Sequence, residues 1–295
     1  MTHKLRGSAC LLTATIIWGS AFVAQSVGMD YIGPFTFQAV RCALAVIGLL
    51  PVIFLIDKHN GRSFLAAWMD KKLWIGGTLC ALPLFLALNL QQVGLVSVDA
   101  GKSAFLTAMY IVIVPLFGIF SKRKPSPIIA LCVLLAVAGL YCLSCVGAQG
   151  LAFGDLCLIL CAVMFAAQIT LIDHFAPGTD SLRLNLIQAL VCSLLSAVLM
   201  LLFEAPNLRS ISMCAVPLCY TGFLSMGAAY SLQITGQKDL EPSAASLIMS
   251  LESVFAVLFG SILLKETMTV WESLGCVLVF AAVILSQIPL PRKAK

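Results

Sequence analysis

Ser103-Ala-Phe-Leu-Thr-Ala-Met-Tyr-Ile-Val-Ile-Val-Pro-Leu-Phe-Gly118 lies over Ser246-Leu-Ile-Met-Ser-Leu-Glu-Ser-Val-Phe-Ala-Val-Leu-Phe-Gly-Ser261, and each stretch runs on to a lysine, Lys122 and Lys265. One residue out of step with this pair, Leu90-Gln91-Gln-Val-Gly94 recurs as Leu232-Gln233-Ile-Thr-Gly236. Earlier in each copy, Gln38-x-x-Arg41 has its counterpart in Asn185-x-x-Gln188. The chain therefore reads as a unit and its duplicate, both made of long apolar stretches.

Working outward, the apolar runs are 7–28, 34–56, 73–95, 101–121, 127–146, 153–173, 183–203, 213–236, 243–264 and 270–288, each bounded by charges, Gly or Pro. A spanning helix needs about 20 apolar residues, so ten of them use roughly 200 residues and leave only short loops. Composition agrees: 61% hydrophobic, 11% charged and a mean hydropathy of +1.04 lie outside the soluble class and leave no room for a soluble catalytic domain. Nucleic-acid binding and a secreted disulfide scaffold are disfavoured by the same numbers. The expected fold is an all-α membrane protein of ten transmembrane helices in two five-helix repeats, residues 1–148 and 149–295, around a central cavity. Five is odd, so the second repeat is expected to be inserted upside down relative to the first.

The net charge of +5 sorts by loop. Of the 18 basic residues, fourteen fall on the side of the N-terminus, Arg209 and Lys265 fall on the other, and Arg41 and Lys102 lie within or at the edge of runs. That bias predicts a multi-pass protein of the cytoplasmic membrane with both termini in the cytoplasm. The basic start Met1-Thr-His-Lys-Leu-Arg6 leads into a run of about 20 residues with no small-x-small cleavage site, and is read as the first span rather than a signal peptide. The twelve cysteines sit almost wholly in apolar runs and read as small hydrophobes, including the Cys142-Leu-Ser-Cys145 pair late in the fifth run.

Charges inside a span cost about 2.5–3.5 kcal/mol each on insertion scales and persist where they face a cavity or a partner. Glu252 stands about nine residues into its run, near 14 Å at 1.5 Å per residue, close to mid-bilayer. It is the first candidate for function, as proton carrier, holder of a cationic or amino group, or gate between the two; a structural bond to a neighbouring helix is the bland alternative. Arg41, two turns into the second span with Gln38 one turn earlier, either clamps a substrate carboxylate or is held by an acidic partner and helix carbonyls. Lys102 opens the fourth span beside Asp99, where a long side chain either snorkels outward or binds substrate.

Aromatic and amide residues recur at helical spacing: Trp18, Phe22 and Gln25; Phe85, Asn89 and Gln92; Phe165 and Gln168; Tyr230 and Gln233. Such stripes suit a lining for amphipathic metabolites, with an apolar body stacked and a polar end hydrogen-bonded, or else bond one helix to the next. Pro83 and Pro115 fall inside spans and Gly19 and Gly260 allow close packing, a mechanical role. Glu266 beside Lys265 reads as an interfacial ion pair.

The chain resembles the EamA-like permeases of the drug/metabolite transporter superfamily over nearly its whole length. The segments that carry the likeness are Ile17-Trp-Gly-Ser-Ala-Phe-Val23, Arg41, Gly101-Lys-Ser-Ala-Phe-Leu-Thr107, Val114-Pro-Leu-Phe-Gly118, Gly154-Asp155, and Pro242-Ser-Ala-Ala-Ser-Leu247 through Leu251-Glu-Ser-Val-Phe-Ala-Val-Leu-Phe-Gly260 to Leu264-Lys-Glu266. Two departures are visible: Ser253 stands where a Pro commonly follows the Glu, and Lys265 where a Gly precedes the terminal Glu. Loss of the Pro predicts a straighter ninth span. The resemblance implies ten helices around a cavity and passage of small organic solutes, often outward. On it rest a small-molecule substrate of amino-acid-like or drug-like kind and the preference for efflux over an uptake permease or a lipid-linked flippase.

A membrane-embedded enzyme is the competing class. His3, His59 and His174 are the only histidines, all in loops or at helix ends, and HExxH, GxSxG and Walker A sequences are absent. No catalytic residue, metal site or cofactor is assigned. Any concentrating power then comes from a proton, sodium or exchange, and the proton is the ion Glu252 could carry. Small-residue surfaces suit a monomer and a homodimer alike.

Overall fold

The computed structural model describes residues 3–120, 127–144, 152–264 and 269–287, and all regular structure among them is helical. The first half comprises α1 (His3–Gly28), α2 (Pro34–His59), α3 (Lys71–Gly94), α4 (Ala100–Ala108), α5 (Tyr110–Phe120) and α6 (Pro127–Ser144), with a 3₁₀ turn at Ala66–Met69 between α2 and α3. The second half comprises α7 (Phe153–Phe175), α8 (Ser181–Phe203), α9 (Leu208–Met213), α10 (Ala215–Cys219), a π-helix at Tyr220–Ala229, α11 (Tyr230–Gln237), α12 (Pro242–Met249), α13 (Leu251–Leu264) and α14 (Val270–Gln287). Lys122, Cys145, Lys265 and Glu266, which carry the repeat lysines, the second cysteine of the pair and the interfacial ion pair, lie outside the described residues.

Seven of the predicted runs coincide with helical stretches long and apolar enough to cross a bilayer: 3–28, 34–59, 71–94, 100–118, 153–175, 181–203 and 242–263. The other three take a different form. Helices α6 and α14 have 18 residues each, about 27 Å at 1.5 Å per residue. The run 213–236 is assembled from α10, the π-helix and α11.

The two quoted repeat stretches are each interrupted at mid-span. In the first half α4 ends at Ala108, and Met109 and Val112 bond three residues back, to Leu106 O and Met109 O. In the second, α12 ends at Met249 and Ser253 N bonds Ser250 O. The ninth span thus runs as one helical stretch with a tightened turn at Ser250, whose backbone stays in the right-handed helical region. Serine hydroxyls supply the cause: Ser250 Oγ donates to Leu247 O at 2.8 Å and Ser253 Oγ to Ser250 O at 2.6 Å, competing with the backbone ladder.

The principal packings are α3 on α7, α2 on α8, α1 on α13 and α6 on α14. Each joins the first half to the second, and the main apolar core runs from Leu11 to Val283 through both. The α1–α13 crossing depends on Gly19, where a Cβ would stand 2.3 Å from Phe255 Cβ and 2.8 Å from its carbonyl carbon. Gly19→Val should force the two helices apart and cost about 1–3 kcal/mol, the range for overpacking. Gly101→Ala, whose new methyl meets only Val257 at an ordinary 3.5 Å, is the control. Thermal melting of the purified proteins should show a lower Tm for Gly19→Val and none of that loss for Gly101→Ala.

Candidate substrate cavity

Helices α5, α12 and α13, at the two interrupted spans, face a central cavity together with α1, α2, α3, α7, the π-helix and α11. Its lining is Trp18, Phe22 and Gln25 from α1, Arg41 from α2, Gln91 from α3, Tyr110, Phe165, Ile169, Ser225, Tyr230, Gln233, Met249 and Glu252. Both halves contribute. At about 30 Å³ the cavity has room for about two water molecules.

Trp18 and Phe22 on α1, and Phe165 and Ile169 on α7, are pairs four residues apart, which puts each pair on one face of its helix. The Trp18 and Tyr230 rings stand 5.0 Å apart at 59°, and Tyr110 meets Phe165 edge-on at 6.5 Å. Arg41, 1% exposed, donates from Nη1 to Gln25 Oε1 at 2.5 Å and holds its guanidinium 5.9 Å from the Phe37 ring. Among the described residues no carboxylate pairs with Arg41, and its Nε has no hydrogen-bond partner. Across the site Glu252, 5% exposed, accepts from the Tyr110 hydroxyl at 3.0 Å and has no basic partner among the described residues. Two more buried polar atoms of lining residues are unpartnered, Trp18 Nε1 and Gln233 Oε1. Buried polar groups are normally bonded, so an unmatched cation, a carboxylate held by one hydroxyl and three free polar atoms mark a place shaped for something else.

Of the sequence-predicted residues, the structure brings Trp18, Phe22, Gln25, Arg41, Phe165, Tyr230, Gln233 and Glu252 to this cavity. Phe85 and four polar residues stand outside its lining. Gln92 accepts from Gln38 Nε2 at 3.2 Å and donates to Gln25 O at 3.2 Å, a layer behind Arg41 and Gln25. Gln168 lies behind Gln233, accepting its amide at 3.2 Å and donating to Gln188 Oε1 at 3.2 Å. Asn89 ties α3 to α8 through Ser196 Oγ at 2.9 Å. Lys102 points to Asp155 at the start of α7, 2.8 Å from Oδ1, while Asp155 also caps Ala152 N at 2.9 Å.

Gln91, Tyr110 and Ser225 are lining residues that sequence reasoning did not assign. Tyr110 had a signal available, since a tyrosine in an apolar span needs a partner for its hydroxyl. Gln91 had one too, as the repeat counterpart of Gln233. Ser225 comes from the π-helix, whose handover to α11 puts backbone donors and carbonyls one residue out of step. Asn185 on α8 answers this, donating from Nδ2 to Met226 O and Gly227 O at 2.9 Å each. Its repeat counterpart Gln38 does the same on α3, donating to Leu88 O at 2.7 Å.

Helix α2 is fastened to α8 at both ends. At one, the Glu204 carboxylate accepts from Phe35 N and Thr36 N at 2.8 Å each and from Thr36 Oγ1 at 2.6 Å, an anion on the uncapped N-terminus of α2. At the other, Asp57 pairs with Arg183, which also holds Asp180 at 3.1 Å.

An all-helical membrane chain with interrupted spans around a polar cavity defines a polytopic protein built to handle a small solute. The model of the EamA-like transporter family matches the chain twice, over residues 5–145 and 152–287, and the chain belongs to that family. It is 31% identical over 288 residues to an "Uncharacterized transporter" of Archaeoglobus fulgidus, covering 96% of this chain and 86% of that one. A further relative, the "Uncharacterized transporter YoaV" of Bacillus subtilis, is 22% identical over 297 residues, covering 96% and 97%. A solved crystal structure superposes with a TM-score of 0.76 over 95% of this chain and 96% of its own at 16% identity, a likeness of fold. The protein is a multi-pass membrane transporter.

Proposed function

We propose that the protein is a secondary permease that moves zwitterionic, amino-acid-like amphipathic solutes across the cytoplasmic membrane by alternating access, in the outward direction. The observation that carries this reading is the pairing, in one cavity, of an Arg41 with no acidic partner and a Glu252 with no basic one among the described residues, set among aromatic rings. Arg41 would take the carboxylate in a fork of N–H donors, Glu252 the ammonium, and Trp18, Phe22, Phe165 and Tyr230 the apolar body. Desolvated charges of this kind are costly unmatched, and a zwitterion matches both at once. In this reading residues 1–148 and 149–295 act as inverted repeats whose relative tilt opens the site to each side; the two separate family matches and the paired mid-span interruptions support it. Outward direction rests on the family resemblance, and a proton carried by Glu252 is the coupling ion.

Untargeted metabolite profiling of medium and cell extract tests the proposal, using cells that express the wild type, Arg41→Lys or an empty vector. An amino-acid-like solute should accumulate in the medium with the wild type alone. Lysine keeps the charge but loses the planar fork, so Arg41→Lys should cut export about tenfold or more, the value of one bidentate contact. Accumulation inside the cells would reverse the direction, and identical profiles in all three would sink the assignment.

A further inference from the structure

Two hollows outside the central cavity meet at Leu182, which lines both. One is a lateral groove of about 570 Å³ between α2 and the wall formed by the π-helix and α11, lined by Ala45, Gly48, Val52, Phe223, Ala228 and Thr235. The other is a cleft of about 640 Å³ where α2 ends and α8 begins, lined by Asp57, Arg62, Asp70, Asp180, Arg183 and Lys238. The groove flanks the middle of a 26-residue apolar helix whose neighbouring Ile47 and Leu55 are each 61% exposed, so hydrocarbon surrounds it. The cleft lies at headgroup level. Phe54, Phe64, Trp68 and Trp74 form a chain of rings 5.9–6.0 Å apart beside it, an interfacial aromatic cluster, and Trp68 covers Arg183 at 5.5 Å. From Ala45 to Asp57 α2 rises about 18 Å, the depth of one leaflet.

The charges of the cleft balance, Asp57, Asp70 and Asp180 against Arg62, Arg183 and Lys238, but two of the cations form no ion pair among the described residues. Arg183 is matched by Asp57 and Asp180, and Asp70 caps α3 by accepting from Lys72 N at 2.9 Å. Arg62 has no side-chain partner among the described residues, and Lys238 reaches only a backbone carbonyl, Thr179 O, at 2.6 Å. Burial holds the Lys238 ammonium below its ordinary pKa although Asp180 and Asp239 favour its charge, and a further anion in direct contact would offset that burial. Arg183, 3% exposed, keeps an unpartnered Nε in the same lining.

We propose that groove and cleft together form a binding crevice for one anionic phospholipid, with an acyl chain along α2 and the phosphate between Arg62 and Lys238. The wall that the chain presses on is the one that supplies Ser225, Tyr230 and Gln233 to the central cavity from its other side. An occupied crevice therefore buttresses the transport site.

Native mass spectrometry of the delipidated protein, titrated with phosphatidylglycerol or phosphatidylcholine of 16–18-carbon chains, reads this directly. The wild type should bind one phosphatidylglycerol in preference to phosphatidylcholine. The double substitution Arg62→Gln with Lys238→Gln should weaken phosphatidylglycerol roughly tenfold or more and abolish the preference. Val52→Trp, at a lipid-exposed position, should fill the groove and weaken both lipids, with an unchanged melting temperature as the folding control. Equal binding of the two lipids by the wild type, unchanged affinities in the double variant, or glycerol 1-phosphate binding as tightly as the whole lipid would each overturn the proposal.

Discussion

In proteoliposomes carrying an imposed pH gradient, Glu252→Gln should lose gradient-driven solute flux by about tenfold or more while eluting and melting like the wild type. Glutamine keeps the shape and can still accept from the Tyr110 hydroxyl, so the 3.0 Å contact between α13 and α5 survives. What disappears is the charge that would match a substrate ammonium, and the proton-binding site with it. A hydrogen bond to a charged group is worth about 1.5–3 kcal/mol, which sets the expected loss. Counterflow exchange of solute without a gradient separates the two roles. If Glu252 only carries the proton, exchange persists in the variant; if it also holds the ammonium, exchange fails as well. Wild-type flux with wild-type pH dependence in Glu252→Gln would remove the residue from the mechanism.

Arg183→Met should be the most destabilising single change at the α2–α8 contact. The partners are almost fully buried, with side-chain exposures of 4% for Arg183 and 3% for Asp57, so the methionine strands a carboxylate in a dry site. Breaking such a pair from one side costs about 3–5 kcal/mol. Replacing both members, Asp57→Leu with Arg183→Met, should recover most of that loss, because an apolar pair of similar volume often performs as well as the ion pair. Thermal melting of the two single variants and the double variant measures the coupling; additive losses would show that the charges do not depend on each other.

The site was legible where a residue contradicted its surroundings. Glu252 and Arg41 are charges in apolar runs, and Trp18, Phe22 and Gln25 recur at helical spacing, so periodicity alone gathered them. Choice between adjacent positions was not legible. Neighbours on a helix differ by 100° of rotation, and the amides at 91 and 92 look alike in one dimension. The stripe through Phe85 and Asn89 pointed to Gln92, whereas Gln91 lines the cavity and Gln92 serves Gln38 and Gln25 behind it. Gln168 yielded in the same way to its neighbour Ile169, while Phe165 of the same stripe does line the cavity. Of the fold, the long spans were readable from hydropathy, while the π-helix was not, since its register shift depends on Asn185 arriving from another span. The Asp57–Arg183 pair escaped because each member, taken by itself, is an ordinary charge at the end of a run.

The cross-half packing also sets a timetable for biosynthesis. Arg6 pairs with Asp239, Asp57 with Arg183 and Lys102 with Asp155, so each of these ion pairs has one member early in the chain and one late. Arg41, by contrast, finds Gln25 within the part of the chain made first. Arg183 follows Asp57 by 126 residues and Asp155 follows Lys102 by 53, so at about 5–20 residues per second the ribosome delivers the partners roughly 6–25 and 3–11 seconds later. Through those intervals Asp57 and Lys102 sit at the edges of helices already inserted, without their counter-charges. Those two charges are matched only once the starts of α7 and α8 have emerged.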